Sequence, residues 1–220
     1  MDNSSLTQVE NQIKAHLSQN FSIKVGLITE LDGDLSQYEE EIADSMSVSR
    51  RREFRAGRVA AKQALGSISG DNQVILRAER GYPIFPEGFV GSISHKGPYV
   101  GALVSSTDHC VGLGFDIEED ESLSEPVWST FASVEEVAVS EQLGLEAGVY
   151  ANMLFCVKEA LFKSLSPLLR EDTPELSSQV ITLKKQKNQY ITKFVGDQYH
   201  CECGVLRVGG GIFSWAVTKR

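Results

Sequence analysis

The sequence predicts an α+β fold of two lobes, each an antiparallel sheet packed with helices. Three observations predict it. Each half of the chain carries one long helical stretch, each carries short alternating runs suited to half-buried strands, and the runs are joined by tight glycine- or proline-marked turns rather than crossover helices. With 220 residues, 41% of them hydrophobic, the chain can bury a core as one large domain or two small lobes. We read residues 1–20 as an N-terminal extension, 21–118 as the first lobe and 119–220 as the second.

Up to Asn20 the chain is polar and weakly periodic, which suits either a short helix or a loosely tied extension. Phe21 to Ile28 alternates like an edge strand. Tyr38 to Met46 is an acidic helix, and Ser49 to Leu65 a longer one in which Arg50, Phe54 and Arg58 form a stripe about 12 Å long at i, i+4 and i+8. The segment Gly81 to Gly88 (GYPIFPEG) has prolines and glycines throughout and reads as an ordered loop. Strands follow at Gly91 to His95 and Tyr99 to Ser105, joined by a turn at Lys96-Gly97-Pro98, and a third runs from Val111 to Glu118.

In the second half, Ser133-x-x-Glu136 offers a capping box for one helix. A stronger helix spans Val149 to Leu165, and Pro167 is expected to end it. The remainder reads as antiparallel strands at Val180 to Leu183, Tyr190 to Val195, Tyr199 to Val208 and Ile212 to Thr218, with Gly209-Gly210-Gly211 turning the last pair. LRVGGGIFSWAV echoes SISHKGPYVGALV in length and hairpin placement, a suggestion of duplication that would put a ligand cleft between lobes.

Composition excludes several function classes. A net charge of -9 and a pI near 5.0 argue against nucleic acid as a partner, because phosphate backbones attract basic surfaces. An anionic ligand must then be held by local basic residues. No apolar run approaches the roughly 18 to 20 residues of a membrane span. The start, MDNSSLTQVE, has acidic Asp2 and lacks a secretory pattern, so a cytoplasmic location is expected. Cys110, Cys156, Cys201 and Cys203 lack paired metal-ligand spacing and are expected reduced; Cys201 and Cys203 read as alternate residues on one strand face.

The residues that could carry chemistry lie in three places. Asp116 and Glu118, in GFDIE, project from the same face of a strand. Paired carboxylates suit Mg²⁺, which takes a few carboxylate oxygens and accepts phosphate oxygens from a substrate. Alone, the run Asp116 to Glu121 reads equally as a solvated acidic loop. Glu159 and Lys163, in FCVKEALFK, stand at i and i+4 beside the apolar face of Met153, Leu154, Val157, Ala160 and Leu161. Alone they are most simply a surface salt bridge.

The third place is GSISHK, where Ser94, His95 and Lys96 end a strand with a hydroxyl, an imidazole and an ammonium, a set that can grip phosphate oxygens. A serine-hydrolase elbow is excluded because Ile93 stands where the serine should follow Gly91. Gly112-x-Gly114 likewise lacks the third glycine of a dinucleotide fingerprint, since Ile117 occupies that position.

Taken in order, R-R-R-E-F-x-x-G-R-x-A-A, G-Y-P-I-F-P-x-G-x-V-G-S-I-S-H-K, G-F-D-I-E and F-C-V-K-E-A-L-F-K cover most of Arg50 to Lys163. They resemble the 4′-phosphopantetheinyl transferase superfamily, in its enterobactin-synthetase-component and surfactin-type branch. The resemblance implies a pseudo-duplicated fold in one monomer, with coenzyme A between two similar lobes. It implies that Asp116, Glu118 and Glu159 hold Mg²⁺ and that Lys163 neutralises the pyrophosphate. Ser94 and His95 are expected near the 3′-phosphate or pyrophosphate, Arg50 and Arg58 on the 3′-phosphate, and Arg80 and Lys158 as further coenzyme A contacts. Phe85 stands where tryptophan is common and Cys156 where serine or threonine is usual; neither change removes a charge.

The implied reaction is attack by a serine of an apo acyl or peptidyl carrier protein on the phosphorus nearer pantetheine, releasing adenosine 3′,5′-bisphosphate. Catalysis then falls to Asp116, Glu159 and Lys163, with Glu159 as base, directly or through a water. Rivals are an inactive module that binds coenzyme A or a carrier protein, and a Mg²⁺-dependent nucleotide hydrolase. The resemblance leaves open whether siderophore (enterobactin-like), polyketide or fatty acid synthesis is served. Lys184, Lys185 and Lys187 are the basic cluster to which an acidic carrier could dock.

Overall fold

The computed structural model describes residues 3–70, 73–169, 173, 175, 178–195 and 198–220; Asp2, part of the N-terminal reading, lies outside them. The described chain comprises α1 (Asn3–Leu17), β1 (Phe21–Leu27), α2 (Gln37–Asp44), α3 (Val48–Ser69), β2 (Leu76–Arg77), β3 (Pro83–Ile84), β4 (Phe89–Lys96), β5 (Tyr99–Ser106) and β6 (Gly112–Glu119). It continues through α4 (Glu125–Trp128), α5 (Val134–Leu143), α6 (Ala147–Leu169), β7 (Lys184–Gln186), β8 (Gln189–Val195), β9 (His200–Val208) and β10 (Gly211–Lys219).

Two antiparallel sheets carry the fold, a three-stranded one in the order β1-β5-β4 and a five-stranded one in the order β6-β10-β9-β8-β7. Tight turns set their registers. Gly97, at φ +53°, and Pro98 join β4 to β5, while Gly209 and Gly210, both at positive φ, join β9 to β10. Positive φ at both central residues gives a hairpin turn whose twist matches the strands.

The sheets stack through a shared core. Phe21, Ile23 and Val25 of β1 and Tyr99 and Leu103 of β5 meet Leu113, Phe115 and Ile117 of β6 and Phe213, Trp215 and Val217 of β10. Leu6, Val9, Ile13 and Leu17 of α1 complete this cluster, so of the two expectations for the N-terminal stretch the structure shows the helix. On the outer face of the small sheet lies α3, capped by Ser47 and by left-handed Gly70, whose Ala60, Ala61 and Ala64 let it lie close to the strands. On the outer face of the large sheet lies α6, burying Met153, Leu154, Val157, Ala160 and Leu161.

β6 has two different faces. Leu113, Phe115 and Ile117 point into the shared core; Gly112, Gly114, Asp116 and Glu118 lie on the other face, toward α6. A Cβ added to Gly114 would stand 1.7 Å from the carbonyl oxygen of Ala160, and one added to Gly112 would stand 2.2 Å from that of Ser164. The bare backbone at both positions lets α6 cross β6 at a separation no other residue permits.

Several expectations need correction. Pro83–Ile84 is not loop but the second strand of a short hairpin with β2, pairing Leu76 with Ile84 and Arg77 with Pro83. Pro167 does not end α6, which runs on to Leu169; only the last turn remains beyond it, so little helix is lost to the missing N–H. The Val180 to Leu183 strand is absent. That extended segment is pinned instead by buried Ile181 and Leu183, whose amides donate to Glu136 Oε1 at 2.8 Å and to the Tyr150 hydroxyl at 3.3 Å.

The capping box of Ser133 and Glu136 is present on α5, and Cys201 and Cys203 are both buried on one side of β9. Lys184 and Lys185 are exposed on edge strand β7, with Lys187 in the turn that follows. No helix among the described residues is long and apolar enough to cross a membrane.

Gly114→Ala should destabilise the protein by about 3 kcal/mol, the upper range for overpacking a tight contact, as read from chemical denaturation. A change near zero would contradict the close crossing of α6 over β6.

Candidate functional site

A cleft of about 320 Å³ opens where β4, the edge of the small sheet, meets β6, the edge of the large one. Its walls bring together Arg50, Glu53, Phe54 and Arg58 of α3, Arg77 and Pro83 of the hairpin, Ser94 and His95 of β4, Asp116 and Glu118 of β6, and Lys163 of α6. The helical stripe read from the sequence is thus real, with all three of its members facing one space.

The α6 crossing sets the acidic end. Lys163 Nζ lies 2.5 Å from Asp116 Oδ1 and also donates to Ser94 Oγ at 3.1 Å and to the Phe115 carbonyl at 3.3 Å. Ser94 Oγ donates to the same Asp116 oxygen at 2.8 Å. The other oxygen, Asp116 Oδ2, is buried with no hydrogen-bond partner. Glu118 is held by Lys96 at 2.7 Å. Glu159 stands one turn before Lys163 and is half-buried.

The carboxylates feel one another. Burial raises the pKa of Glu159, and the charges of Asp116 and Glu118 raise it further against the opposing pull of Lys163. Burial likewise raises Glu118, with Asp116 adding to it and Lys96 opposing. Among the described residues no group of three acidic, histidine or cysteine side chains is placed to hold a metal ion; in this arrangement Lys163 pairs with Asp116 and Lys96 with Glu118.

The basic end is built on α3. Arg58 is 3% exposed, stacks over the Phe54 ring at 4.9 Å and donates to the Leu76 carbonyl at 3.4 Å. Its Nη1 is buried without a partner, and burial, partly offset by Glu39, lowers its pKa to about 10, which leaves it charged at neutral pH. Arg50 is exposed, pairs with Glu53 at 3.1 Å and contacts His95 Nε2. Burial and the Arg50 charge lower the His95 pKa.

Three expected residues are not among the cleft lining: Lys158, Arg80 and Glu159, the last of which lies one turn of α6 before Lys163. Lys158 is fully buried on the opposite side of α6, 3.0 Å from Glu136 Oε1 and 2.6 Å from the Phe131 carbonyl, so its ammonium cannot reach a ligand between the lobes. Arg80 is exposed at the tip of the hairpin, outside the cleft lining. The structure adds Arg77 and Glu53, which the sequence reading did not single out. Glu53 was visible as the residue one turn after Arg50, whereas Arg77 depends on a hairpin that had been read as loop.

Comparison with known proteins matches both halves of the chain. The family model "4'-phosphopantetheinyl transferase N-terminal domain" matches residues 38–105, and "4'-phosphopantetheinyl transferase superfamily" matches residues 112–212. The cleft draws on both regions. The chain is 33% identical over 133 residues to 4'-phosphopantetheinyl transferase PptT of Mycobacterium tuberculosis, covering 60% of this chain and 59% of that one. It is 32% identical over 134 residues to 4'-phosphopantetheinyl transferase Npt of Nocardia iowensis, covering 59% and 58%. With 4'-phosphopantetheinyl transferase Svp of Streptomyces mobaraensis it shares 35% over 127 residues, covering 54% and 49%. The matches thus span between about half and three fifths of each relative's length.

Two outcomes follow from the buried charges. Lys158→Met should cost about 3–5 kcal/mol by leaving Glu136 buried and unpaired, and adding Glu136→Gln should restore part of the loss in denaturant melts. Glu159 has a folded pKa above its ordinary value, so its ionisation opposes folding, and that penalty grows as pH rises through the raised pKa. Glu159→Gln should therefore raise Tm at pH 7, with the gain shrinking as pH falls from the raised pKa toward the ordinary carboxylate value and lost below it. A Tm difference that does not change with pH would contradict this.

Proposed function

Because the chain belongs to the 4′-phosphopantetheinyl transferase superfamily, with both halves matched by that family's models, we propose that it transfers 4′-phosphopantetheine from coenzyme A to a serine of an apo acyl or peptidyl carrier protein. One observation carries the reading: a single cleft sets acidic Asp116 and Glu118 beside Lys163 at one end and buried Arg58 at the other. A molecule with a diphosphate and a separate phosphate matches that division of charge.

The acidic end fits a divalent cation such as Mg²⁺. Asp116 Oδ2 is buried and unpartnered, and Asp116 and Glu118 present hard carboxylate oxygens from one face of β6, with half-buried Glu159 on the helix that crosses it. Asp116, Glu118 and Glu159 would hold the ion, which when bound would supply Lewis-acid neutralisation of the diphosphate.

The chain's own residues do the rest. Lys163, anchored between Ser94 and Asp116, directs its ammonium to where diphosphate oxygens would lie. Ser94 and His95 line the wall between the two ends and orient the ligand, and the lowered pKa of His95 keeps it a neutral hydrogen-bonding group near pH 7. The carrier serine oxygen attacks the phosphorus nearer pantetheine, and the bond from that phosphorus to the bridging oxygen breaks. Adenosine 3′,5′-bisphosphate leaves with that oxygen, and the serine proton passes to Glu159, directly or through a water. Phosphoryl transfer asks mainly for such positioning and charge neutralisation.

Purified protein incubated with coenzyme A, Mg²⁺ and a panel of apo carriers should add one phosphopantetheine to at least one of them, as read by intact mass. Asp116→Ala should abolish that addition with an unchanged circular dichroism spectrum. Hydrolysed coenzyme A beside an unmodified carrier would instead make the protein a hydrolase, and binding without any turnover would make it an inactive module.

A further inference from the structure

Lys96 is a cation of the acidic end that has no part in the reading above, and it reaches that end from outside the cleft. It is the last residue of β4 and pairs with Tyr99 across the turn at Gly97 and Pro98. Its Nζ lies 2.7 Å from Glu118 Oε2. Glu118 lines the cleft and Lys96 does not, so the carboxylate borders the ligand space while its ammonium partner comes from the rim. The turn that carries Lys96 is seated on β6, since a Cβ at Gly97 would stand 2.4 Å from Glu119 Oε1. The charges of Glu119 and Asp116 also act on Lys96.

The two lysines of this end are held very differently. Lys163 has three acceptors, in Asp116, Ser94 and the Phe115 carbonyl, and its side chain is 29% exposed. Lys96 has one ion-pair partner among the described residues, Glu118, and its side chain is 45% exposed. Such an exposed pair is weak, because water screens the ammonium and a long side chain loses rotamer freedom to make it. A divalent cation concentrates two charges at one point and prefers carboxylate oxygen. It therefore outcompetes the ammonium for Glu118, and the released lysine returns to water. The buried, unpartnered Oδ2 of Asp116 offers the cation an acceptor that Lys96 leaves unused. Until a cation binds, the same ammonium offsets the repulsion between Glu118 and Asp116.

We propose that Lys96 is the resident counter-ion of Glu118, holding the place of a divalent cation, and that its displacement sets how tightly the cation binds. The inference rests on the Mg²⁺ reading of the acidic end and deepens it. Lys163 is not the displaced group, because its anchorage between Ser94 and Asp116 directs it at ligand oxygens.

The test titrates Mn²⁺ into metal-free protein, alone and with coenzyme A present, and follows binding by calorimetry for the wild type, Lys96→Met, Lys96→Arg and Lys193→Met. Lys193 is an exposed residue of β8 outside the cleft, and its variant controls for net charge. Lys96→Met should tighten Mn²⁺ about 5- to 10-fold, the effect of one neighbouring unit charge screened by water. Lys96→Arg should bind no more tightly than the wild type, since the competitor remains. In a Glu118→Gln background Lys96→Met should bring no gain, an outcome that a lysine acting at long range would not produce. Saturating Mg²⁺ should also make Lys96 of the wild type more reactive toward acetic anhydride, read by peptide mass spectrometry, while Lys193 labels as before. A Lys96→Met affinity equal to that of the wild type or of Lys193→Met would overturn the proposal, as would Lys96 labelling that Mg²⁺ leaves unchanged. A wild type that binds no Mn²⁺, with or without coenzyme A, would remove the cation reading itself.

Discussion

The close crossing of α6 over β6 is the constraint on which the rest of the site depends. Asp116 and Glu118 belong to a strand and Glu159 and Lys163 to a helix far along the chain, yet Lys163 reaches Asp116 and the charges of all three carboxylates are felt together. That proximity exists because β6 presents only hydrogen at Gly112 and Gly114, where the helix backbone passes. The same strand turns Leu113, Phe115 and Ile117 into the core between the sheets. Its period of two thus performs two tasks at once, anchoring on one face and admitting a helix and its charges on the other.

Electrostatics divide the cleft. An acidic chain, with net charge -9, keeps its cleft cations in fixed places rather than spreading them over the surface. Each is held by a different device: Lys163 by Asp116 and Ser94, Arg50 by Glu53, Arg58 by burial against Phe54 and Arg77 by a hairpin tied to Tyr38. A buried ion pair of the same sort, Glu136 with Lys158, is wholly structural. It gathers the cap of α5, the turn at Phe131, the segment at Ile181 and α6 around one carboxylate. A lysine of the same motif therefore takes a role opposite to that of Lys163, which the cleft exposes.

Much of this was legible in the sequence. Hydrophobic period located the main helices and most strands, and the Arg50, Phe54, Arg58 stripe and the Asp116, Glu118 pair lie where their spacing puts them. What escaped has physical reasons. Lys158 and Lys163 are five residues apart, about 140° around a helix, so one motif spans two environments that its letters do not distinguish. The alternation of Ile181 and Leu183 is genuine, but their amides are satisfied by Glu136 and Tyr150 rather than by a neighbouring strand. The segment before β1 looked marginal because Leu6, Val9, Ile13 and Leu17 are isolated among polar residues; only packing against β1 and against β9, nearly two hundred positions away, makes them part of a core. Arg77 could not be told from Arg80 without the pairing of Leu76 to Ile84.

That distant docking bears on motion. The cluster joining α1, β1 and β5 to β6 and β10 is one continuous apolar body drawn from both halves of the chain, and swinging the halves apart would wet it. The cleft lies at the rim of this body, so widening it by such a swing would carry the cost of exposing that apolar surface.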